Sequence, residues 1–186
     1  MNKNLYMSVI GKKAKAASND LAKLSIKKRN SVLKQYCFYL KKYSQQIIKE
    51  NEKDLKKAKI NKSKMIGRLK FDKKAISQVI KSISQIIQFK DPLGKTLSAW
   101  KRPNGLKIKR VSIPIGVIGI IYESRPNVTS DVSSLCFKTG NAVILRGGSE
   151  AFYSNKILFS LFKKALINKN CNQNCVQFVE NTNRKN

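Results

Sequence analysis

The sequence predicts an α/β fold in three stretches: a helical region over residues 1–94, a β-hairpin over 95–113, and a parallel sheet with its helices over 114–186. Three observations predict it. Residues 3–89 repeat apolar side chains at helical spacing, and the run Asp91-Pro92-Leu93-Gly94 then stops that pattern. Residues 111–155, VSIPIGVIGIIYESRPNVTSDVSSLCFKTGNAVILRGGSEAFYSN, hold two apolar strand-like runs, each leading through a polar or glycine-rich turn into a helical pattern. With a third apolar run at 176–179 the order becomes strand, helix, strand, helix, strand, the unit of a parallel sheet with right-handed crossovers.

Each element has a local cause. Loop signals near Leu24-Ser25 and over 61–64 divide the first stretch, and four helices fit it. One runs over 26–43, with Ser25 placed to cap it and Val32, Leu33, Tyr36, Cys37 and Leu40 on one side. The clearest begins after Asp72, a good N-cap, and puts Ile76, Val79, Ile80, Ile83, Ile86 and Ile87 on the i, i+3, i+4 stripe of an amphipathic helix. The aromatic group Tyr36, Phe38, Tyr39 and Tyr43 would also suit a base-stacking platform, but core packing accounts for most of it with fewer assumptions. Pro92 has no amide proton and biases Asp91 away from helix, so the helical region ends there. Residues 96–100 and 106–113 flank Lys101-Arg102-Pro103-Asn104-Gly105, a turn signal, and predict a hairpin with one basic face. Residues 115–122 are rich in β-branched side chains, as a strand covered on both faces requires. A helix over 129–139 ends at Gly140-Asn141, residues 142–145 form a second buried strand, and Arg146-Gly147-Gly148-Ser149 leads into a helix over 150–167.

Composition narrows the class. The chain carries 39 basic residues, 32 of them lysine, against 10 acidic ones, a net charge of +29. Such a field attracts polyanions. The lysines are spread along the helices beside abundant Asn and Ile, residues that share AT-rich codons, so biased base composition explains the charge better than a nucleic-acid partner does. The longest apolar run, around residues 113–122, is broken by Pro114, Gly116 and Gly119 and falls short of the about 18 residues of a membrane span. The basic N-terminus lacks the apolar core and small-residue cleavage site of a secretion signal, which predicts a soluble, cytoplasmic protein. Cys37, Cys136, Cys171 and Cys175 show no CxxC spacing and there is no histidine, so free thiols are expected and a metal site is not.

In an open parallel sheet, ligands gather beyond the carboxyl ends of the strands, where helix N-termini present amides and the positive end of a dipole. Two such ends are visible, at residues 122–129 and at Arg146-Gly147-Gly148-Ser149. Arg146 can fork onto a phosphate, Gly147 and Gly148 let a backbone approach closely, and Ser149 can donate a hydroxyl hydrogen bond. Glycine after a strand is also an ordinary tight turn, and neither GxGxxG nor a Walker loop is present.

The pair PIGVIGIIYESRPNVT, residues 114–129, and CFKTGNAVILRGGSEA, residues 136–151, resembles the γ-glutamyl phosphate reductase (glutamate-5-semialdehyde dehydrogenase) family of the aldehyde dehydrogenase superfamily, with weaker similarity along the rest of the chain. The resemblance implies a Rossmann-like cofactor domain of the aldehyde dehydrogenase type and NADPH-dependent reduction of γ-glutamyl phosphate to glutamate 5-semialdehyde, in proline biosynthesis. In the wider superfamily the position of Arg146 is commonly a lysine that contacts the cofactor's adenosine ribose or its phosphate, and that of Ser149 is commonly a glutamate that holds the ribose 2′-hydroxyl. A carboxylate there would repel a 2′-phosphate, whereas Arg146 with Ser149 would accept one, so the resemblance implies NADP, with Gly147 and Gly148 in the same cradle. Asn127 is the nearest match to the superfamily asparagine that helps stabilise the oxyanion, although Pro126-Asn127 reads equally well as a helix cap. Glu123 and Arg125 belong to the family-specific segment, where they reach substrate or cofactor or pair with each other.

The family's nucleophilic cysteine, which displaces phosphate to form a thioacyl enzyme, is expected beyond residue 186. The chain therefore reads as a truncated amino-terminal portion, a partial NADP-binding domain without the catalytic domain and inactive alone. None of its four cysteines matches the nucleophile, and Cys136 sits where a small buried hydrophobe is wanted. A truncated sheet should leave a strand edge and apolar surface uncovered. Two alternatives stay open: a fragment complementing a second chain that carries the cysteine, and a basic nucleic-acid-binding relic of the fold. Residues 96–113 match the superfamily's oligomerising hairpin, which implies a homo-oligomer for the intact enzyme.

Overall fold

The computed structural model of the chain describes residues 3–181. The helical region comprises α1 (Lys3–Ala22), α2 (Ile26–Lys42), α3 (Ser44–Ile60), the single-turn α4 (Ile66–Leu69) and α5 (Lys73–Gln88). The caps are the expected ones. Ser25 Oγ accepts from the Lys28 amide at 3.2 Å, and Asp72 Oδ1 accepts from the Ala75 amide at 2.9 Å. Along α5, Ile76, Val79, Ile83 and Ile86 are buried, as the stripe requires. Tyr36 and Tyr39 are buried in α2 while Phe38 faces water, so the aromatic group is mainly core rather than a surface platform. Buried cations tie these helices to the sheet layer: Arg29 donates to the Lys138 carbonyl and pairs with Asp91 at 2.6 Å, and Lys138 Nζ donates to Asn30 and to the Ile87 carbonyl.

The hairpin follows as β1 (Thr96–Lys101) and β2 (Lys107–Val111), antiparallel, with Trp100 opposite Ile108 and Lys101 opposite Lys107. Gly105 turns the chain at a φ of +85°, where a side chain would be strained. Lys101, Lys107 and Lys109 share the basic face, and nearly every residue of both strands is exposed.

The second half runs β3 (Val117–Tyr122), α6 (Pro126–Lys138), β4 (Ala142–Gly147), a 3-10 turn (Ser149–Ala151), α7 (Phe152–Asn168) and β5 (Val176–Phe178). The three strands are parallel in the order β3-β4-β5. Helix α1 lies along the sheet, and α6 and α7 cover the face carrying Ile120, Tyr122, Val143, Leu145 and Phe178, with α2, α3 and α5 packed behind them.

Three expectations are corrected here. β3 is not covered on both faces: Ile118, Ile120 and Tyr122 pack against the core, α1 lies chiefly over β4, and Ile121 is 78% exposed, as are Ile115 at 83% and Ile113 at 76% in the segment before the strand. β-branched composition reports an extended backbone and cannot say whether a layer covers it. Helix α6 begins at Pro126, three residues before the expected start, because proline is well suited to the first helical position, where its missing N–H has no partner to lose. Finally, β4 continues through Arg146 and Gly147, which pair with Ile121 and Tyr122, and the segment after Gly148 makes a 3-10 turn before α7 begins.

Candidate functional site

β3 and β4 end side by side, and the Arg-Gly-Gly-Ser segment lies at those ends. A cleft of about 660 Å³ opens there, lined by Tyr122, Glu123, Ser124, Arg146, Ser149 and Glu150 together with the two glycines. That volume lies within the usual range of small-molecule sites. The glycines have a reason internal to the protein. A Cβ on Gly148 would stand 2.5 Å from Ser124 Oγ and 3.1 Å from the Ser124 amide, and one on Gly147 would overlap Asn155 Nδ2 and crowd the Tyr122 ring. At Gly148 the two strand-tip segments meet backbone to backbone, a close approach within the protein that neither ligand access nor a tight turn describes.

The expected helix N-terminus after β4 is occupied from within. Asp54, buried on α3, accepts from the Tyr153 amide at 3.1 Å, the Ser154 amide at 2.8 Å and Ser154 Oγ at 2.6 Å. These are the second and third residues of α7, whose N-cap, Ala151, has no side-chain acceptor to offer, so Asp54 supplies the capping bonds from about a hundred residues away in sequence. Two first-turn amides of α7, those of Tyr153 and Ser154, thus hold a protein carboxylate rather than presenting themselves to a ligand, while Arg146 and Ser149 still line the cleft. Burial pushes the Asp54 carboxyl upward, and the Ser154 and Tyr153 hydrogen bonds oppose that push. Asn51 completes the cluster, donating to Ser154 Oγ at 3.0 Å and to the Leu69 carbonyl, and accepting from the Phe71 amide. Neither Asp54 nor Asn51 carries a sequence signal, since both look like solvated positions on a lysine-rich helix.

The N-terminus of α6 is arranged differently. Arg125 is its N-cap and makes no side-chain capping bond, so Asn127 is not the cap residue. Asn127 is exposed in the first turn, where its Nδ2 donates to Asp131 Oδ2 at 3.1 Å. Glu123 pairs with Arg68 at 2.7 Å, not with Arg125. A second cavity, of about 470 Å³, lies between α5 and α6 and is lined in part by Arg68, Lys70, Gln78, Ser82, Asn127 and Asp131. Thr129 ties the region together, bonding the Tyr122 hydroxyl at 2.7 Å and donating to Asn155 Oδ1 at 2.9 Å.

No cysteine lines either cavity. Burial pushes the Cys37 and Cys136 thiols up to about 11 and Cys175 up to about 12, the opposite of what a nucleophilic thiolate requires. Among the described residues no group of three or more His, Cys, Asp or Glu could hold a metal ion, and no helix is long and apolar enough to cross a membrane.

No protein-family model matches the chain. A γ-glutamyl phosphate reductase of Bartonella tribocorum is 45% identical over 177 residues, which make up 94% of this chain and 43% of that protein. The crystal structure of γ-glutamyl phosphate reductase from Thermotoga maritima matches with a TM-score of 0.92 at 38% identity, covering 95% of this chain and 43% of that one. An acetylating aldehyde dehydrogenase from Geobacillus thermoglucosidasius, 10% identical with a TM-score of 0.69 over 97% of this chain and 37% of its own, shares the fold. The chain spans less than half the length of the curated relatives it matches. Sequence and fold together relate this chain to the γ-glutamyl phosphate reductases, over a segment amounting to less than half of such an enzyme.

Proposed function

We propose that the chain is the cofactor-gripping portion of an NADP-dependent γ-glutamyl phosphate reductase, which reduces γ-glutamyl phosphate to glutamate 5-semialdehyde in the cytoplasm as a step of proline biosynthesis. What supports this reading most is that Arg146, Gly147, Gly148 and Ser149 line one cleft beyond the tips of β3 and β4. These residues fit the phosphorylated adenosine end of NADP. Arg146 supplies a fixed positive charge and Ser149 an exposed hydroxyl, while the two carboxylates nearby are each turned to a protein partner, Glu123 to Arg68 and Glu150 to Ser63 Oγ at 2.6 Å. With the α7 amides already bonded to Asp54, Arg146 carries the attraction for a 2′-phosphate. When bound, NADPH supplies the hydride. Asn127, in the first turn of α6, has the side-chain amide that would donate to a developing oxyanion. The thiolate that receives the glutamyl group belongs to a portion of the enzyme outside these 186 residues.

Fluorescence titration of the purified chain with NADPH and with NADH tests the proposal. NADPH should bind roughly tenfold or more tightly than NADH, the contribution of about one charge-assisted contact to the 2′-phosphate. Equal affinities would remove the NADP assignment.

The exposure of Ile121 on β3 and of Ile113 and Ile115 ahead of it favours a second reading, in which the chain works only beside another polypeptide that covers β3 and carries the cysteine. Mixing the two chains would then restore NADPH oxidation with γ-glutamyl phosphate. In either reading the exposed hairpin of β1 and β2 is the surface on which the intact enzyme would form a homo-oligomer.

A further inference from the structure

The cavity between α5 and α6 shares a wall with the strand-tip cleft: Arg68 lines the cavity, Glu123 lines the cleft, and the two side chains are joined at 2.7 Å. A group held in the cavity would therefore lie next to a cofactor held in the cleft. Its lining carries both signs of charge. Arg68 and Lys70 contribute cations from α4 and the turn after it, and Asp131 contributes a carboxylate from the second turn of α6.

Asp131 is the informative member. No cation pairs with it among the described residues, Oδ1 is buried without a hydrogen bond, and the partners of the carboxylate are neutral, Asn127 Nδ2 at 3.1 Å and the Ser82 hydroxyl. An ionised carboxylate has about four acceptor positions, so part of its bonding capacity, that of Oδ1, is unused. Buried polar groups left in this condition call for a partner. Burial has already pushed this carboxyl upward, as expected where no positive group compensates it. A carboxylate wanting a cation, in one cavity with two cations whose present partners are the exposed carboxylates Glu123 and Asp72, matches the head of a zwitterionic amino acid.

We infer that this cavity takes the amino-acid end of the substrate: Asp131 receives the α-ammonium group, and Arg68 with Lys70 receives the α-carboxylate. This rests on the reading that the substrate is γ-glutamyl phosphate and makes Asp131 the residue that selects a glutamyl chain over a plain dicarboxylic one. Asn127, bonded to Asp131, couples that selection to the group proposed to meet the reacting carbonyl.

Calorimetric titration of the 186-residue chain with L-glutamate, glutarate and γ-aminobutyrate tests it, since glutarate lacks the ammonium and γ-aminobutyrate lacks the α-carboxylate. L-Glutamate should bind roughly tenfold or more tightly than either analogue. Asp131→Asn should bring L-glutamate and glutarate to the same affinity while glutarate binding persists, which also reports that the variant is folded. Absence of L-glutamate binding, equal affinity of the wild-type chain for L-glutamate and glutarate, or an undiminished preference in Asp131→Asn would overturn the assignment. NADPH titration run alongside separates the two readings. Intact NADPH binding without amino-acid discrimination sinks the cavity assignment alone, and lost NADPH binding with discrimination intact counts against the cofactor cleft alone.

Discussion

Helices α6 and α7 both begin just past the tip of a parallel strand, and by position alone both are places for an anion. They have opposite fates. At α7 a buried carboxylate from α3 has taken the first-turn amides, so this end is part of the folded core. At α6 no side chain caps the start, the first turn is exposed at Asn127, and a cavity with charged walls lies beside it. The topology of a parallel sheet sets where helix N-termini gather, whereas a residue distant in sequence decides which of them remains available to a ligand.

The largest expected effect separates the two ends directly. Asp54→Ala removes three hydrogen bonds from buried groups and the cap of α7, and should cost about 2–4 kcal/mol in chemical denaturation. A loss under about 1 kcal/mol would mean that the α7 amides are satisfied in another way. The same carboxyl has a pH signature. Its folded-state pKa lies above the ordinary carboxylate value, so through that window the folded chain holds more proton than the unfolded chain and stability falls as pH rises. In Asp54→Asn that slope should flatten. Gly148→Ala comes next, at about 1–3 kcal/mol, because its Cβ would press on Ser124, including the backbone amide. An undisturbed Gly148→Ala protein would return that glycine to the role of admitting a ligand. The smallest effect belongs to the open end: Asn127→Ala should change stability by less than about 0.5 kcal/mol, since the side chain is exposed and bonds only Asp131. A larger loss in the same denaturation experiment would make Asn127 a structural residue.

Much of the fold was legible because its determinants are local. Ser25 and Asp72 announce their helices, the isoleucine stripe fixes the buried face of α5, and Asn104-Gly105 turns the hairpin. The candidate cleft was legible as well, since Arg146 to Ser149 directly follow the apolar run 142–145, although the first two of them belong to β4 itself. What stayed hidden depends on distant parts of the chain. The open face of β3 follows from α1 lying chiefly over β4, which the composition of β3 cannot express. The capping of α7 depends on Asp54, about a hundred residues earlier, and the need for Gly147 and Gly148 on how closely Tyr122 and Ser124 approach. The pairing of Glu123 with Arg68 instead of its near neighbour Arg125 is of the same kind.

With the α7 amides committed internally, the central claim is that one side chain, Arg146, supplies the charge that grips a phosphorylated nicotinamide cofactor at the strand tips. NADPH titration of Arg146→Ala, with a melting curve to confirm folding, measures this most directly. Loss of one charge-assisted bond should weaken NADPH binding by roughly 10- to 100-fold and bring it close to that of NADH. An Arg146→Ala protein that is folded and binds NADPH as the wild-type chain does would contradict the account.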